Sequence, residues 1–183
     1  MVEQGEVLCV MRDIQIKAIR SDEDIAEAKA MVMELFDVFF ERYPDQIPMI
    51  RKYMETQDVA GQLERFLETF GPPVGEALIA RVDGMAQGIV MLTDKGQGIE
   101  GRLCEMNRMY VRSTARGLGL GRKLGEAIMG EARLLGFHEM RLEGAKRHVE
   151  AIPLYESLGF GPDPAATELA KADPMMFSMR ITL

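Results

Sequence analysis

Cysteine, histidine and tryptophan are scarce in this sequence, which has two cysteines, two histidines and no tryptophan among 183 residues. Cys9 and Cys104 lie far apart and neither belongs to a CxxC or CxxH pair, which argues against a structural zinc site and a disulfide-rich secreted fold. No apolar run approaches the ~20 residues of a membrane-spanning helix, and the amino terminus carries acids where a signal peptide carries bases. We therefore expect a cytoplasmic protein that binds neither a metal nor a membrane.

Basic residues are also in deficit. The 22 lysines and arginines face 29 aspartates and glutamates, so the formal net charge is −7. Because nucleic acids are bound by basic surfaces, we expect no nucleic-acid partner. The hydrophobic fraction of 47% and the charged fraction of 28% are ordinary for a globular chain and exclude a disordered one. The length predicts one domain over residues 1–183, of which the first ~12 residues could form a flexible arm.

Short-range patterns predict a mixed α/β order, with an antiparallel first half and helical crossovers in the second. Alternation of apolar and polar residues predicts strands at 14–19, 77–82, 86–92, 103–111, 140–143 and 176–181. Apolar spacing of three and four residues, with capping residues and glycine stops, predicts helices at 25–40, 49–70, 118–135 and 148–158. Asp83 and Gly84 predict a tight hairpin turn, and residues 94–98 a loop.

The turn between the fourth predicted strand and the helix that follows it is the most informative stretch. Gly117, Gly119 and Gly121 alternate with larger residues, and glycines let a backbone come close to a ligand. The first turn of a helix also offers amides without intrahelical partners, and residues 112–123 carry four basic residues and no acid. We therefore predict a site for a phosphate-bearing ligand. A turn built only for tight packing is the alternative.

Two familiar phosphate motifs do not fit these residues. A dinucleotide fingerprint that starts at Gly117 needs glycine or alanine at position 122, which is Arg122. A P-loop needs Gly-Lys followed by Ser or Thr, where this chain has Arg122, Lys123 and Leu124. The predicted phosphate site is therefore a different kind of turn.

Arg116, Gly119 and Gly121 resemble the signature of the GNAT superfamily of acyl-CoA-dependent N-acetyltransferases, in which Arg or Gln precedes two small residues at this spacing. A second block, residues 151–160, is similar to the late helix of that family, which ends in Leu-Tyr-x-x-Leu-Gly-Phe. The resemblance implies the GNAT fold: an α/β domain with a mixed, mostly antiparallel central sheet, flanked by helices, and a splayed strand pair at the cofactor site.

The resemblance also implies a ligand and a reaction. The ligand is acetyl-CoA, and the activity is transfer of its acetyl group to a primary amine of a small molecule or peptide by direct attack. The implied cofactor-binding residues are Met109, Val111, Arg116, Gly117, Leu118, Gly119, Leu120, Gly121 and Arg122. Two alternatives stay open: a non-catalytic acyl-CoA-binding regulatory domain, and a nucleotide-binding domain that uses the same turn.

Tyr155 is the first candidate for the chemistry. The resemblance places its hydroxyl beside the sulfur of coenzyme A, where it could protonate the leaving thiolate. A tyrosine that only packs in the helix is the alternative. His148 stands where many family members have Asn, and Cys104, in a predicted strand, is expected to be a small buried hydrophobe rather than a nucleophile.

Glu105 is the second candidate, as the base. Alternation along its strand puts Glu105 on the same side as Met109 and Val111, which are expected along the thioester arm. Glu105 also stands eleven residues before the arginine of the signature, where some family members carry a glutamate base. The alternative is a carboxylate paired with Arg102 or Arg108.

The charge of the first third of the chain gives a prediction about the acceptor. Residues 1–60 contain thirteen acids against seven bases, and the family resemblance puts the first helices beside the acceptor. Asp37, Glu41 and Asp45 would attract a cationic amine there. A solvated acidic helix face is the alternative, and a homodimer is left open.

Overall fold

The computed structural model describes residues 12–166 and 175–183. The predicted amino-terminal arm therefore lies outside the described residues, apart from residue 12. The strands in these ranges are β1 (Ile14–Ala18), β2 (Gly75–Val82), β3 (Met85–Gln97), β4 (Arg102–Val111), β5 (Glu139–Ala145), β6 (Gly161–Pro162) and β7 (Met176–Thr182). The helices are α1 (Asp22–Arg42), α2 (Ile47–Thr56), α3 (Val59–Glu64), α4 (Phe66–Phe70), α5 (Leu120–Leu134) and α6 (Ala151–Ser157).

The seven strands form one sheet in the order β1-β2-β3-β4-β5-β7-β6. All neighbours are antiparallel except β4 and β5, which are parallel. Each face of the sheet has its own apolar core: α5 packs on one face, and α1 with the short helices α3 and α4 packs on the other. This is the mixed, mostly antiparallel sheet flanked by helices that the sequence predicts. No helix in the described part is long and apolar enough to cross a membrane.

Local signals explain why these elements form. Ser21 caps α1 by accepting a hydrogen bond from the Asp24 amide, and the buried residues of this helix recur at helical spacing. The hairpin turn between β2 and β3 has positive φ at Asp83 and Gly84, as a tight two-residue turn requires. Helix α6 begins at Ala151, so Pro153 lies in its first turn, where proline is well tolerated.

The parallel pair β4 and β5 is splayed. Only three residues pair across it, beginning at Leu103 with Glu139 and ending at Glu105 with Arg141. Beyond that point β5 continues to pair with β7 on its other side, while the β5-facing edge of β4 has no strand beside it in the described residues. The sheet therefore opens into a cleft at the carboxyl ends of β4 and β5.

Two predicted boundaries are wrong. The predicted helix 49–70 is three helices, because Asp58 adopts the left-handed conformation with φ of 48° and caps α3 through the Gly61 amide. The loop predicted at 94–98 belongs largely to β3, which runs on to Gln97 and pairs there with Arg102.

The predicted alternation of β4 is also wrong beyond Asn107. In the register with β3, Met91 pairs with Asn107 and Ile89 with Tyr110, so β4 carries an extra residue between them. Arg108 has a φ of 53° at this bulge. The bulge reverses the faces, so that Met109 packs in the core beneath α5, on the side of Cys104 and Met106 rather than of Glu105.

Candidate active site

A row of free backbone amides lies at the turn from β4 into α5. The amides from Gly117 to Arg122 donate to no acceptor among the described residues, whereas the next amide, Lys123, donates to the Gly119 carbonyl at 3.1 Å. Gly117 and Gly119 have φ of 81° and 73°, and a Cβ built on either would meet nothing within 4 Å. The row therefore faces open space, and amides arranged in this way bind anions.

The basic residues around this turn divide into two groups. Arg112 is bound to the Glu34 carboxylate of α1 at 2.6 and 2.9 Å and to the Ala86 carbonyl, so it ties the end of β4 to α1. Arg122 donates from Nη1 to the Ser157 carbonyl at 3.3 Å, and its nearest carboxylate in the described residues is Glu126 at 3.6 Å. Lys123 is exposed and has no ion pair among the described residues. The second group leaves a positive potential at the amide row, within a chain of net charge −7.

Gly121 has a different role from Gly117 and Gly119. A Cβ on Gly121 would lie 3.0 Å from Leu154 Cδ2, and one on Gly125 would lie 2.4 Å from Leu158 Cδ1. These two glycines let α6 rest directly on the first turns of α5. The Cβ position of Gly121 therefore faces α6, while its amide belongs to the free row, and its role as a cofactor-binding residue stays a prediction.

A cavity of about 360 Å³ opens at the splay of β4 and β5. One wall is apolar and comes from α1 and α2, with Leu35, Phe36, Phe39, Met49, Ile50 and Tyr53. The opposite wall is polar and comes from β3 to β5 and the chain around α6, with Lys95, Glu105, Asn107, Arg108, Arg141, Glu143, His148 and Tyr155. Met109, which packs against the core beneath α5, also lines the cavity, and Val111 packs against the same core without being a lining residue. The cavity thus joins the free edge of β4 to a mixed apolar and polar chamber.

Tyr155 lies on α6 with its ring against Phe160 and Phe177, at centroid distances of 6.0 and 6.4 Å. Its hydroxyl has no hydrogen-bond partner in the described ranges. Burial raises the pKa of Tyr155 to about 12, so the phenol is protonated at neutral pH. The structure thus places a protonated phenol on the cavity wall, and the role of Tyr155 as the acid stays a prediction.

Glu105 is an ion-paired carboxylate. Its Oε2 accepts from Arg141 Nε at 2.9 Å, and its Oε1 lies 3.3 Å from Lys95 Nζ. Neither arginine expected as its alternative partner binds it, since Arg102 pairs with Asp94 at 2.7 Å and Arg108 lies elsewhere on the cavity wall. Both oxygens of Glu105 are engaged, which weighs against its use as a base.

Glu143, which sequence reasoning missed, is a freer carboxylate in the same cavity. Its Oε1 is buried and has no hydrogen-bond partner among the described residues. Glu143 and Arg141 alternate along β5, so both reach the face that Glu105 occupies on β4. The alternation of Arg141 and Glu143 along β5, the strand that pairs with β4, is the signal in the sequence that indicates Glu143.

His148 and Cys104 are both held neutral. Burial, with a further contribution from Arg42, lowers the pKa of His148 to about 4, and its ring lies 4.5 Å from that of Phe39. His148 Nε2 is buried without a partner in the described part of the chain. Burial raises the pKa of the Cys104 thiol to about 12, which fits the expected role of a small core residue.

The acids predicted to face the acceptor are not on the cavity wall. Asp37, Glu41 and Asp45 are exposed and outside its lining, and Asp45 pairs with Arg147 at 2.6 Å. These three side chains therefore do not support the prediction of a cationic acceptor, which stays a prediction.

Known proteins resemble this chain in sequence and in fold. A sequence model of the acetyltransferase (GNAT) family matches residues 30–160. An uncharacterised N-acetyltransferase of Schizosaccharomyces pombe is 32% identical over 149 residues, which cover 81% of this chain and 83% of that protein. The PaiA N-acetyltransferase of Thermoplasma acidophilum, solved with coenzyme A, superposes with a TM-score of 0.65 at 15% identity, over 93% of this chain and 99% of its own. The yncA protein of Salmonella typhimurium, solved with acetyl-CoA, gives a TM-score of 0.54 at 19% identity, over 93% and 94%.

Proposed function

Because the chain belongs to the acetyltransferase (GNAT) family, we propose that it transfers an acetyl group from acetyl-CoA to a primary amine of a small molecule by direct attack. The observation that carries this proposal is the row of free amides from Gly117 to Arg122, beside a cavity that contains a protonated tyrosine. The two solved relatives that hold coenzyme A or acetyl-CoA support the choice of ligand.

The residues present fit acetyl-CoA. The amide row, with Arg116, Arg122 and Lys123 around it, would hold the pyrophosphate. The unpaired edge of β4 at Met109 and Val111 would bind the extended pantetheine arm through backbone groups. When bound, acetyl-CoA supplies the activated thioester.

The polar wall of the cavity provides the proton transfers that the reaction needs. As the nitrogen–carbon bond forms and the carbon–sulfur bond breaks, Glu143 Oε1 takes a proton from the amine and Tyr155 gives its phenol proton to the sulfur. The proton on Glu143 then returns to Tyr155 through solvent, so the products are the acetylated amine and the free thiol. Glu105 remains the alternative base that the sequence predicts.

Calorimetric titration with acetyl-CoA, coenzyme A and ATP, followed by a thiol-release assay over a panel of amines, tests the proposal. We expect binding of both coenzymes, no binding of ATP, and thiol release that requires an amine. Binding without thiol release would favour the regulatory alternative, and binding of ATP alone would favour the nucleotide-binding one.

A pair of glycine variants tests the ligand-binding turn. Gly119→Val should weaken acetyl-CoA binding at least tenfold, because its side chain would stand in front of the amide row. Gly96→Val is the matched control, since Gly96 has a similar φ of 78° with open space around it but lies at the far end of β3. Equal affinity in the two variants would contradict the assignment.

A further inference from the structure

We propose that Arg108 binds a carboxylate of the acceptor, so that the acceptor is a small amino carboxylate with an apolar body. The inference rests on the proposed function, because it specifies the acceptor that enters the cavity. The acidic amino-terminal third of the chain suggests a cationic acceptor, whereas this inference gives the acceptor a negatively charged carboxylate.

Arg108 is a cation without an anionic partner. It lines the cavity, and no carboxylate in residues 12–166 or 175–183 forms an ion pair with it. Its guanidinium has one long contact, from Nη2 to Gln62 Oε1 at 3.4 Å, and lies 5.4 Å from the centre of the Phe36 ring. By contrast, the other arginine of the cavity, Arg141, is bound to Glu105. A half-buried guanidinium of this kind is well placed for bidentate binding of a carboxylate.

The bulge of β4 places Arg108 at the cavity. Strict alternation would turn Arg108 away from the face of Glu105, yet both side chains line the cavity. The φ of 53° at Arg108 is a conformation that non-glycine residues seldom adopt. Such a backbone conformation persists where the surrounding structure holds it. At this bulge it directs the Arg108 guanidinium to the cavity.

The unpaired acceptor atoms of the cavity complement an amine. Asn107 Nδ2 donates to Thr93 Oγ1 and to the Glu105 carbonyl, both at 3.2 Å, which leaves its Oδ1 buried and without a donor. Glu143 Oε1 is likewise buried and accepts no hydrogen bond from the described residues. One unpaired cation and two unpaired oxygens fit a molecule that carries a carboxylate and an amine.

The charge of the polar wall and the apolar character of the opposite wall further define the chemical class of the acceptor. Lys95 and Arg141 both pair with Glu105, so Arg108 is the lining cation without a carboxylate partner in the described residues. The three lining cations exceed the two lining carboxylates, Glu105 and Glu143, by one charge, which disfavours a purely cationic amine. The opposite wall, from α1 and α2, is apolar and includes two phenylalanines. An amino carboxylate with an aliphatic or aromatic body matches both sides.

Pairs of acceptors that differ only in the carboxylate provide the test: L-phenylalanine against 2-phenylethylamine, and L-leucine against 3-methylbutylamine. With the full chain and saturating acetyl-CoA, we expect kcat/KM to be about 10- to 100-fold higher for the carboxylated member. Arg108→Ala should remove that preference through KM, and Arg108→Lys should restore part of it. Arg51→Ala is the control, because Arg51 is exposed on α2 and makes only a cation–π contact with Phe40.

Two outcomes would overturn the inference: equal turnover of both members by the wild type, or an equal loss for both in Arg108→Ala. Calorimetric binding of L-phenylalanine and L-leucine to wild type and Arg108→Ala separates this inference from the proposed function. Binding that Arg108→Ala abolishes, without acetylation of any amine, would uphold the carboxylate site and contradict the acetyltransfer proposal. Equal binding by both proteins would overturn the site, whatever the activity.

Discussion

Burial sets the proton chemistry of single residues in this cavity. Burial alone raises the pKa of Tyr155 to about 12, so its phenol stays protonated at neutral pH. The same effect holds the imidazole of His148 neutral. The cavity therefore contains a permanent donor and several acceptors, and the placement of each acceptor decides its use.

The Tyr155→Phe variant should lower kcat by about ten- to thousandfold and leave the Kd for acetyl-CoA nearly unchanged. The hydroxyl acts on a sulfur charge that develops only during bond breakage, and the ring contacts with Phe160 and Phe177 are kept. Thiol-release kinetics and calorimetry measure the two quantities. Equal kcat in both proteins would return Tyr155 to a packing role.

The two glutamates of the cavity are separated by isosteric amide variants. Glu143→Gln should lower kcat by about a hundredfold or more, because it removes the free carboxylate. Glu105→Gln breaks the pairs with Arg141 and Lys95, and should chiefly lower thermal stability and raise KM. The reverse pattern, with the larger loss of kcat in Glu105→Gln, would assign the base to Glu105.

At the scale of elements, the contact between α5 and α6 couples the two halves of the site. The start of α5 belongs to the amide row, and α6 carries Tyr155. Gly121 and Gly125 bring the two helices together by leaving room for Leu154 and Leu158. The position of Tyr155 relative to the amide row therefore depends on these two glycines, which have no side chains to hold α6 away from α5.

We expect Gly125→Ala to lower kcat by about tenfold without weakening acetyl-CoA binding, because the added methyl would displace Leu158 and with it α6. Gly130→Ala is the control on the same helix, where a Cβ meets nothing within 4 Å. The control should gain up to ~1 kcal/mol of stability at unchanged kcat. Identical kinetics in both variants would show that the helix contact does not position Tyr155.

At the scale of the whole molecule, stability should fall with acid in two separate windows. The folded pKa of His148, about 4, lies below the ordinary ~6.5, so its contribution is complete above pH ~6.5 and is lost as the pH falls towards 4. Burial opposes ionisation of Asp24, but hydrogen bonds from Arg81 and Lys17 outweigh it and lower the pKa to about 2. Asp24 joins α1 to β1 and β2, and this contribution is lost below pH ~4.

Urea unfolding between pH 7 and 3 measures both windows. His148→Asn should remove the loss between pH 6.5 and 4, which we expect to be about 2 kcal/mol, and should keep the loss below pH 4. An unchanged slope of stability in the upper window would contradict the assignment to His148. A cytoplasmic location, a homodimer and the absence of nucleic-acid partners stay predictions.

The sequence by itself determined the order of the main strands and of the long helices, the hairpin at Asp83 and Gly84, and the glycine-rich turn before α5. These features depend on caps, alternation and backbone freedom within a few neighbouring residues. The motif around Gly119 and the block that contains Tyr155 were readable for the same reason, because each lies within one short segment. The family and its fold could therefore be predicted from the sequence.

Only the tertiary structure decided which polar groups meet in the cavity. Glu105 is engaged because the parallel register of β4 and β5 sets it opposite Arg141, and Glu143 is free because the strands then separate. The bulge that turns Arg108 into the cavity arises from the register of β4 against β3, and no local pattern in the sequence marks it. The sequence predicted an acidic side facing the acceptor, and the structure places Asp37, Glu41 and Asp45 outside the cavity, because a count of acids along the chain does not show which side chains face the same space.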